Sequence, residues 1–124
     1  MEKSFTYSIH IRLCADDKFF GPGTVMLLQN VDKMHSLFAA SKLMSLSYSK
    51  ATAMIKNAEN HLGFKLLVRH TGGESGGGSE LTSNARAVLS LFSDFTSGIR
   101  SYADGLFKSL KEEIEKLPLD GTLL

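Results

Sequence analysis

The stretch Ser36–Thr82, SLFAASKLMSLSYSKATAMIKNAENHLGFKLLVRHTGGESGGGSELT, carries the information that decides the fold. Ser36 is placed to cap a short helix that carries Leu37, Ala40 and Leu43 on its inner side. Met44-Ser45-Leu46 leaves room only for a tight connection. Ser47 is a second N-cap, and the apolar positions behind it, Ala51, Met54, Ile55, Ala58 and Leu62, recur at helical spacing. Gly63 is placed to end that helix in the left-handed conformation. Two short helices joined this closely form a helix-turn-helix. FKLLVRH, residues 64–70, then reads as a strand, the glycine run as a tip and Ser79-Glu80-Leu81 as the return strand of a β-hairpin, with Thr82 as the cap of the next helix.

Upstream, residues 4–13 (SFTYSIHIRL) alternate strictly, with Phe5, Tyr7, Ile9, Ile11 and Leu13 on one face, as in a half-buried strand. Asp16-Asp17-Lys18 makes a turn and Phe19-Phe20 a short pairing partner. Gly21-Pro22-Gly23 opens a helix striped by Val25, Leu28, Val31 and Met34, since proline suits a first helical turn. Downstream, one long helix is expected over 82–117, with Pro118 ending it and Gly98 and Gly105 as points of weakness. Its apolar residues Val88, Phe92, Phe95, Ile99, Tyr102, Leu106 and Leu110 have nearly a heptad spacing. The chain holds no second helix of that length to cover this seam, so a second copy is expected to do so. The expected architecture is mostly α (α+β), with residues 1–82 as one domain and 83–124 as a dimerisation helix and tail.

Composition sets the bounds. A chain of 124 residues accommodates one domain with a modest core, and 43% hydrophobic with 22% charged residues is ordinary for a globular protein. Net charge is only +1, but residues 42–73 hold Lys42, Lys50, Lys56, Lys65 and Arg69 against Glu59 alone, which leaves the remainder at −3. A locally basic segment of this kind fits a surface that meets phosphate. The single Cys14 excludes an intramolecular disulfide and fits a reducing cytosol, and neither a signal peptide nor a membrane span is visible, so a cytoplasmic protein is expected.

Five glycines in positions 72–78 admit three readings. GESGG, residues 73–77, matches the G-x-S-x-G spacing around a nucleophilic serine, Ser75. A glycine run also offers successive backbone N–H groups to an anion, or serves simply as a flexible tip. The hydrolase reading needs a strand-turn-helix in an α/β sheet or two β-barrels, and neither fits this chain. The run lacks the G-K-[ST] ending of a phosphate-binding loop, and the histidines His10, His35, His61 and His70 have no metal-ligand spacing. No enzyme, metal or cofactor is expected.

This order of elements resembles the winged-helix DNA-binding domain of LysR-type regulators, and residues 36–82 resemble more narrowly the N-terminal domain of the molybdate-responsive ModE regulators. The resemblance rests on Ser36, Ser47 to Ala51, Leu62-Gly63, Leu66-Leu67, Arg69, Gly72-Gly73, Gly76 to Gly78 and Leu81-Thr82. It departs at His35 and Ala85, where that family commonly has glycine, and the chain is too short to add a molybdate-binding domain, so no molybdate site is expected. The resemblance implies a homodimeric regulator that reads double-stranded DNA with the start of its third helix: Ser47, Tyr48, Ser49, Lys50, Thr52 and Lys56. Arg69, His70, Thr71, Gly72 and Gly73 would add contacts from the wing, although Arg69 could equally be a surface strand residue or pair with Glu59. The alternative function is a winged-helix module that docks another protein, or an architectural one without specific DNA readout.

Overall fold

The computed structural model describes residues 4–70 and 78–120. Along them lie β1 (Leu13–Cys14), β2 (Lys18–Phe20), α1 (Pro22–Met34), α2 (Leu37–Leu43), α3 (Tyr48–Leu62), β3 (Leu67–His70), β4 (Gly78–Leu81) and α4 (Ser83–Glu115). The chain divides into two compact units, His10–Phe92 and a second made of Met1–Ile9 with Ser93–Leu124. No helix among the described residues is long and apolar enough to cross a membrane.

In the larger unit, each helix begins and ends where local chemistry says it should. Pro22 occupies the first turn of α1, Ser36 Oγ accepts from Ala39 N, and Ser47 Oγ accepts from Lys50 N. Gly63 closes α3 at φ 87°. His35 closes α1 at φ 55°, a left-handed position that favours glycine, which accounts for the glycine common at this point of the ModE pattern. Leu27, Leu28 and Val31 of α1 meet Leu37 and Ala40 of α2 and Ala51, Ile55 and Ala58 of α3 in one buried core. Phe20 and Phe92 close the core edge to face, ring centroids 5.1 Å apart.

The β3–β4 hairpin pairs Leu67 with Leu81, Arg69 with Ser79 and His70 with Gly78. Leu67 and Leu81 are buried and anchor its base, while Val68, Arg69 and His70 are exposed. Ser79 N donates to the His35 carbonyl at 2.9 Å, so the return strand is held on the end of α1. A Cβ on Gly78 would lie 2.9 Å from that same carbonyl oxygen, so one glycine of the run is required by close packing. Thr82 makes three hydrogen bonds: its N–H donates to the Leu66 carbonyl, its hydroxyl to the Lys65 carbonyl, and the hydroxyl accepts from Ala85 N. Ala85 is fully buried behind it, so the core accepts the methyl group that glycine would lack. Arg86 and Asp32 pair through both guanidinium nitrogens at 2.8 and 3.2 Å, and these hydrogen bonds hold the Asp32 carboxyl below the usual carboxylate range.

The expected strand over 4–13 is only partly a strand. Exposure alternates as predicted, with Phe5, Tyr7, Ile9, Ile11 and Leu13 half-buried, but only Leu13–Cys14 enters a ladder, opposite Lys18–Phe20. The reason is that residues 4–12 have no strand beside them among the described residues. In the smaller unit Phe5 and Tyr7 instead lie against Phe107, at 5.9 and 4.9 Å between ring centroids. The Tyr7 hydroxyl donates to Asp104 Oδ1, which raises its pKa above the ordinary phenol value. α4 continues through Gly98 and Gly105, neither of which would bring a Cβ against another group.

Candidate nucleic-acid interface

Helical geometry sorts the side chains of α3 into faces. Ala51, Ile55 and Ala58 point into the core. Ser49, Ala53 and Lys56 lie on the opposite face and are exposed, as are Tyr48 and Lys50 in the first turn. Ser47 is exposed while its hydroxyl caps the helix at 3.1 Å from Lys50 N. Thr52 sits at the border of the two faces, half-buried, and its shielded hydroxyl has no hydrogen-bond partner. It lines a cleft between α3 and β3 together with Lys56, Lys65 and Arg69.

A row of cationic and aromatic groups runs from α2 across the start of α3 to the base of the hairpin. Lys42 Nζ lies 5.4 Å from the Phe38 ring centroid, Phe38 lies 6.0 Å from the Tyr48 ring, and Arg69 Nη1 donates to the Tyr48 hydroxyl at 2.7 Å. Phe38 is 56% exposed, an apolar ring on the outer side of α2. Neither Phe38 nor Lys42 is among the contacts expected from sequence, although their i, i+4 spacing off the buried stripe of α2 was the available signal. Glu59 does not meet Arg69. Its carboxylate accepts from Leu66 N at 2.8 Å and lies 3.7 Å from Lys65 Nζ.

His70 ends β3 on an exposed site, with Nε2 3.5 Å from Glu80 Oε2. Thr71, Gly72 and Gly73, and the Ser75 of the hydrolase-like spacing, lie outside the described residues. Among the described residues no three histidine, cysteine or carboxylate side chains gather as a metal site would require.

The seam of α4 divides by burial. Phe92 is 8% exposed and packs on Phe20, Val88 is half-buried, and both belong to the core cluster of their own unit. Phe95, Tyr102, Leu106 and Leu110 are exposed and Ile99 is half-buried.

Similarity to known proteins runs along the same elements. The pattern of the family described as bacterial regulatory helix-turn-helix protein, lysR family, matches residues 24–86. The chain is 34% identical over 119 residues to the transcriptional regulator ModE of Yersinia pestis, covering 95% of this chain and 41% of that protein. It is 32% identical over 105 residues to the transcriptional regulator ModE of Haemophilus influenzae, covering 85% of this chain and 39% of that one. The chain therefore spans about two fifths of the length of these curated relatives. In fold it is similar to ArgP from Mycobacterium tuberculosis, with a TM-score of 0.50 and 23% identity over 70% of this chain and 30% of that chain. With the helix-turn-helix, its hairpin and the start of the long helix all inside the matched region, the chain belongs to the LysR family of bacterial regulatory helix-turn-helix proteins.

Proposed function

We propose that this chain is a sequence-specific, double-stranded DNA-binding transcriptional regulator that works as a cytoplasmic homodimer. The observation that carries the reading is the exposed first turn of α3, Ser47 to Lys50, joined through Tyr48 to Arg69 at the base of the hairpin. That end of the second helix of a helix-turn-helix is the one that meets base edges, while cations beside it meet phosphate. Ser49, Ala53 and Lys56 face the groove, Lys50 reaches phosphate or guanine, and Arg69 and His70 at the base of the hairpin meet the backbone. The relatives named as transcriptional regulators support the same assignment.

Dimerisation is inferred from the exposed apolar residues of α4, which a second copy would cover. Two α3 helices would then enter successive major grooves about 34 Å apart and read a roughly palindromic site. The role is one of binding rather than catalysis.

The test is affinity selection of fragmented genomic DNA by the purified protein, with the salt raised through the wash and bound fragments sequenced. An inverted repeat that survives higher salt is expected. Lys50→Ala should then lower the slope of log affinity against log salt by about 0.9, the effect of one lost phosphate contact. Recovery of DNA without sequence preference would favour an architectural role, and recovery of none a protein-docking one.

A further inference from the structure

We propose that a second phosphate site lies on the flank of α3 opposite the hairpin, formed by Arg12, Lys18 and Lys50 around the N-terminus of α1, and that it takes a phosphodiester of the duplex backbone. The proposal rests on the DNA-binding reading and adds to it residues that lie outside the helix-turn-helix and its wing.

α3 presents two flanks beside its outward face. Tyr48 and Thr52 border the hairpin on one side, while Lys50, Met54 and Asn57, at i, i+4 and i+7, line a cleft of about 380 Å³ on the other. Arg12 and Lys18 line the same cleft, with Asp17 as the one carboxylate among its lining residues. The ion pairs among the described residues involve other groups, so the cleft gathers three cations with no acidic partner in pairing distance.

The local fold holds the cations there. Asn57 Nδ2 donates to the Lys18 carbonyl at 3.4 Å, and Phe19 stacks on His61 with 4.8 Å between centroids, so β2 is fastened to α3. β1 pairs with β2 and carries Arg12 in just before Leu13. A Cβ on Gly21 would lie 2.7 Å from Arg12 Cγ, so the glycine allows the aliphatic stem of Arg12 to lie across the start of α1. There Gly21 provides no capping side chain, Pro22 has no N–H, and the N–H groups of Gly23 and Thr24 are left without an intrahelical acceptor. Gly23 and Thr24 also line the cleft, so donors and cations converge on one space.

A helix seated in a major groove about 12 Å wide has a phosphate backbone on each side. The hairpin and Arg69 serve one strand. The Arg12–Lys18–Lys50 cleft is positioned to serve the other. Its contacts carry no sequence information, so the site adds affinity and fixes the depth of α3 without changing which bases are preferred.

The test compares wild-type protein with an Arg12→Gln/Lys18→Gln double variant on a duplex carrying the selected repeat and on a scrambled duplex of equal length, across a salt series. The expected result is an equal fold-loss of affinity on both duplexes, an unchanged preference for the repeat, and a salt slope lower by about 0.9 per phosphate released. Arg12→Lys should keep the wild-type slope. A double variant with a normal thermal melt and the wild-type slope would overturn the proposal while leaving the DNA-binding reading intact, whereas wild-type protein without duplex affinity would overturn both. Should the double variant fold poorly, amine acetylation of wild-type protein answers the same question. Protection of Lys18 by saturating duplex is expected, and unchanged acetylation rejects the site.

Discussion

Arg69 at the base of the hairpin donates to the hydroxyl of Tyr48 at the start of α3, 2.7 Å away and 21 positions earlier in sequence. The bond ties the base of the hairpin to the first turn of α3. Tyr48→Phe keeps the ring beside Phe38 and removes the acceptor. Both groups are exposed, so the bond contributes little to folding, and its loss should act by freeing Arg69, weakening duplex binding by up to about tenfold with little change in melting temperature. Fluorescence anisotropy together with a thermal melt measures both, and unaltered affinity would show that the Tyr48–Arg69 bond does not order the interface.

Gly78→Ala tests the close approach of the hairpin to α1. Its methyl group would meet the His35 carbonyl at 2.9 Å, on backbone that is itself held by the Ser79 N–H. Overpacking against backbone costs about 1–3 kcal/mol, so the unfolding free energy from a denaturant titration should fall by that amount. The companion change His35→Gly relieves a left-handed residue at φ 55° and should stabilise by up to about 1 kcal/mol.

The Asp32–Arg86 pair gives stability an acid limb. Its hydrogen bonds lower the Asp32 pKa in the folded chain, with the charges of Arg86 and His35 acting in the same direction. A lowered folded value means that the contribution is present above the ordinary aspartate pKa of about 3.9 and fades as pH falls through the folded value. Wild type and Asp32→Asn should therefore differ in melting temperature at neutral pH and converge below that range. Parallel curves down to the lowest pH would show that the pair contributes no pH-dependent stability.

Leu106→Glu tests the dimer. Leu106 is 59% exposed, so the change should alter the stability of an isolated chain by no more than about 0.5 kcal/mol. At a helix–helix seam the same carboxylate would be buried without a partner. Sedimentation should move from dimer to monomer, with loss of affinity for an inverted repeat and a smaller loss for a single half-site. A variant that sediments as wild type would remove the α4 seam from the interface.

Much of the larger unit was legible because its signals are local. Ser36, Ser47 and Thr82 each accept from an N–H three residues ahead, and Gly63 closes α3 by a bond to Glu59 within one turn, so spacing in sequence is already spacing in space. The alternation of residues 4–13 was equally legible as exposure, but a strand also needs a neighbour, and only Leu13–Cys14 has one.

Tertiary structure alone decided the meetings between distant side chains. From sequence Arg69 could have paired with Glu59, and packing instead gave Glu59 to Lys65 and Leu66 and joined Arg69 to Tyr48. Phe92 fell on the same seam as Leu106, yet the closing of the core on Phe20 buried one and left the other exposed. Arg12, Lys18 and Lys50 share no motif, and only the docking of β2 on α3 brings them to one cleft. Caps and periodicity act over one helical turn and are therefore written in the order of residues. The charge that gathers beside α3 depends on how three helices and a hairpin fill a common core, and the spacing of residues along the chain does not specify it.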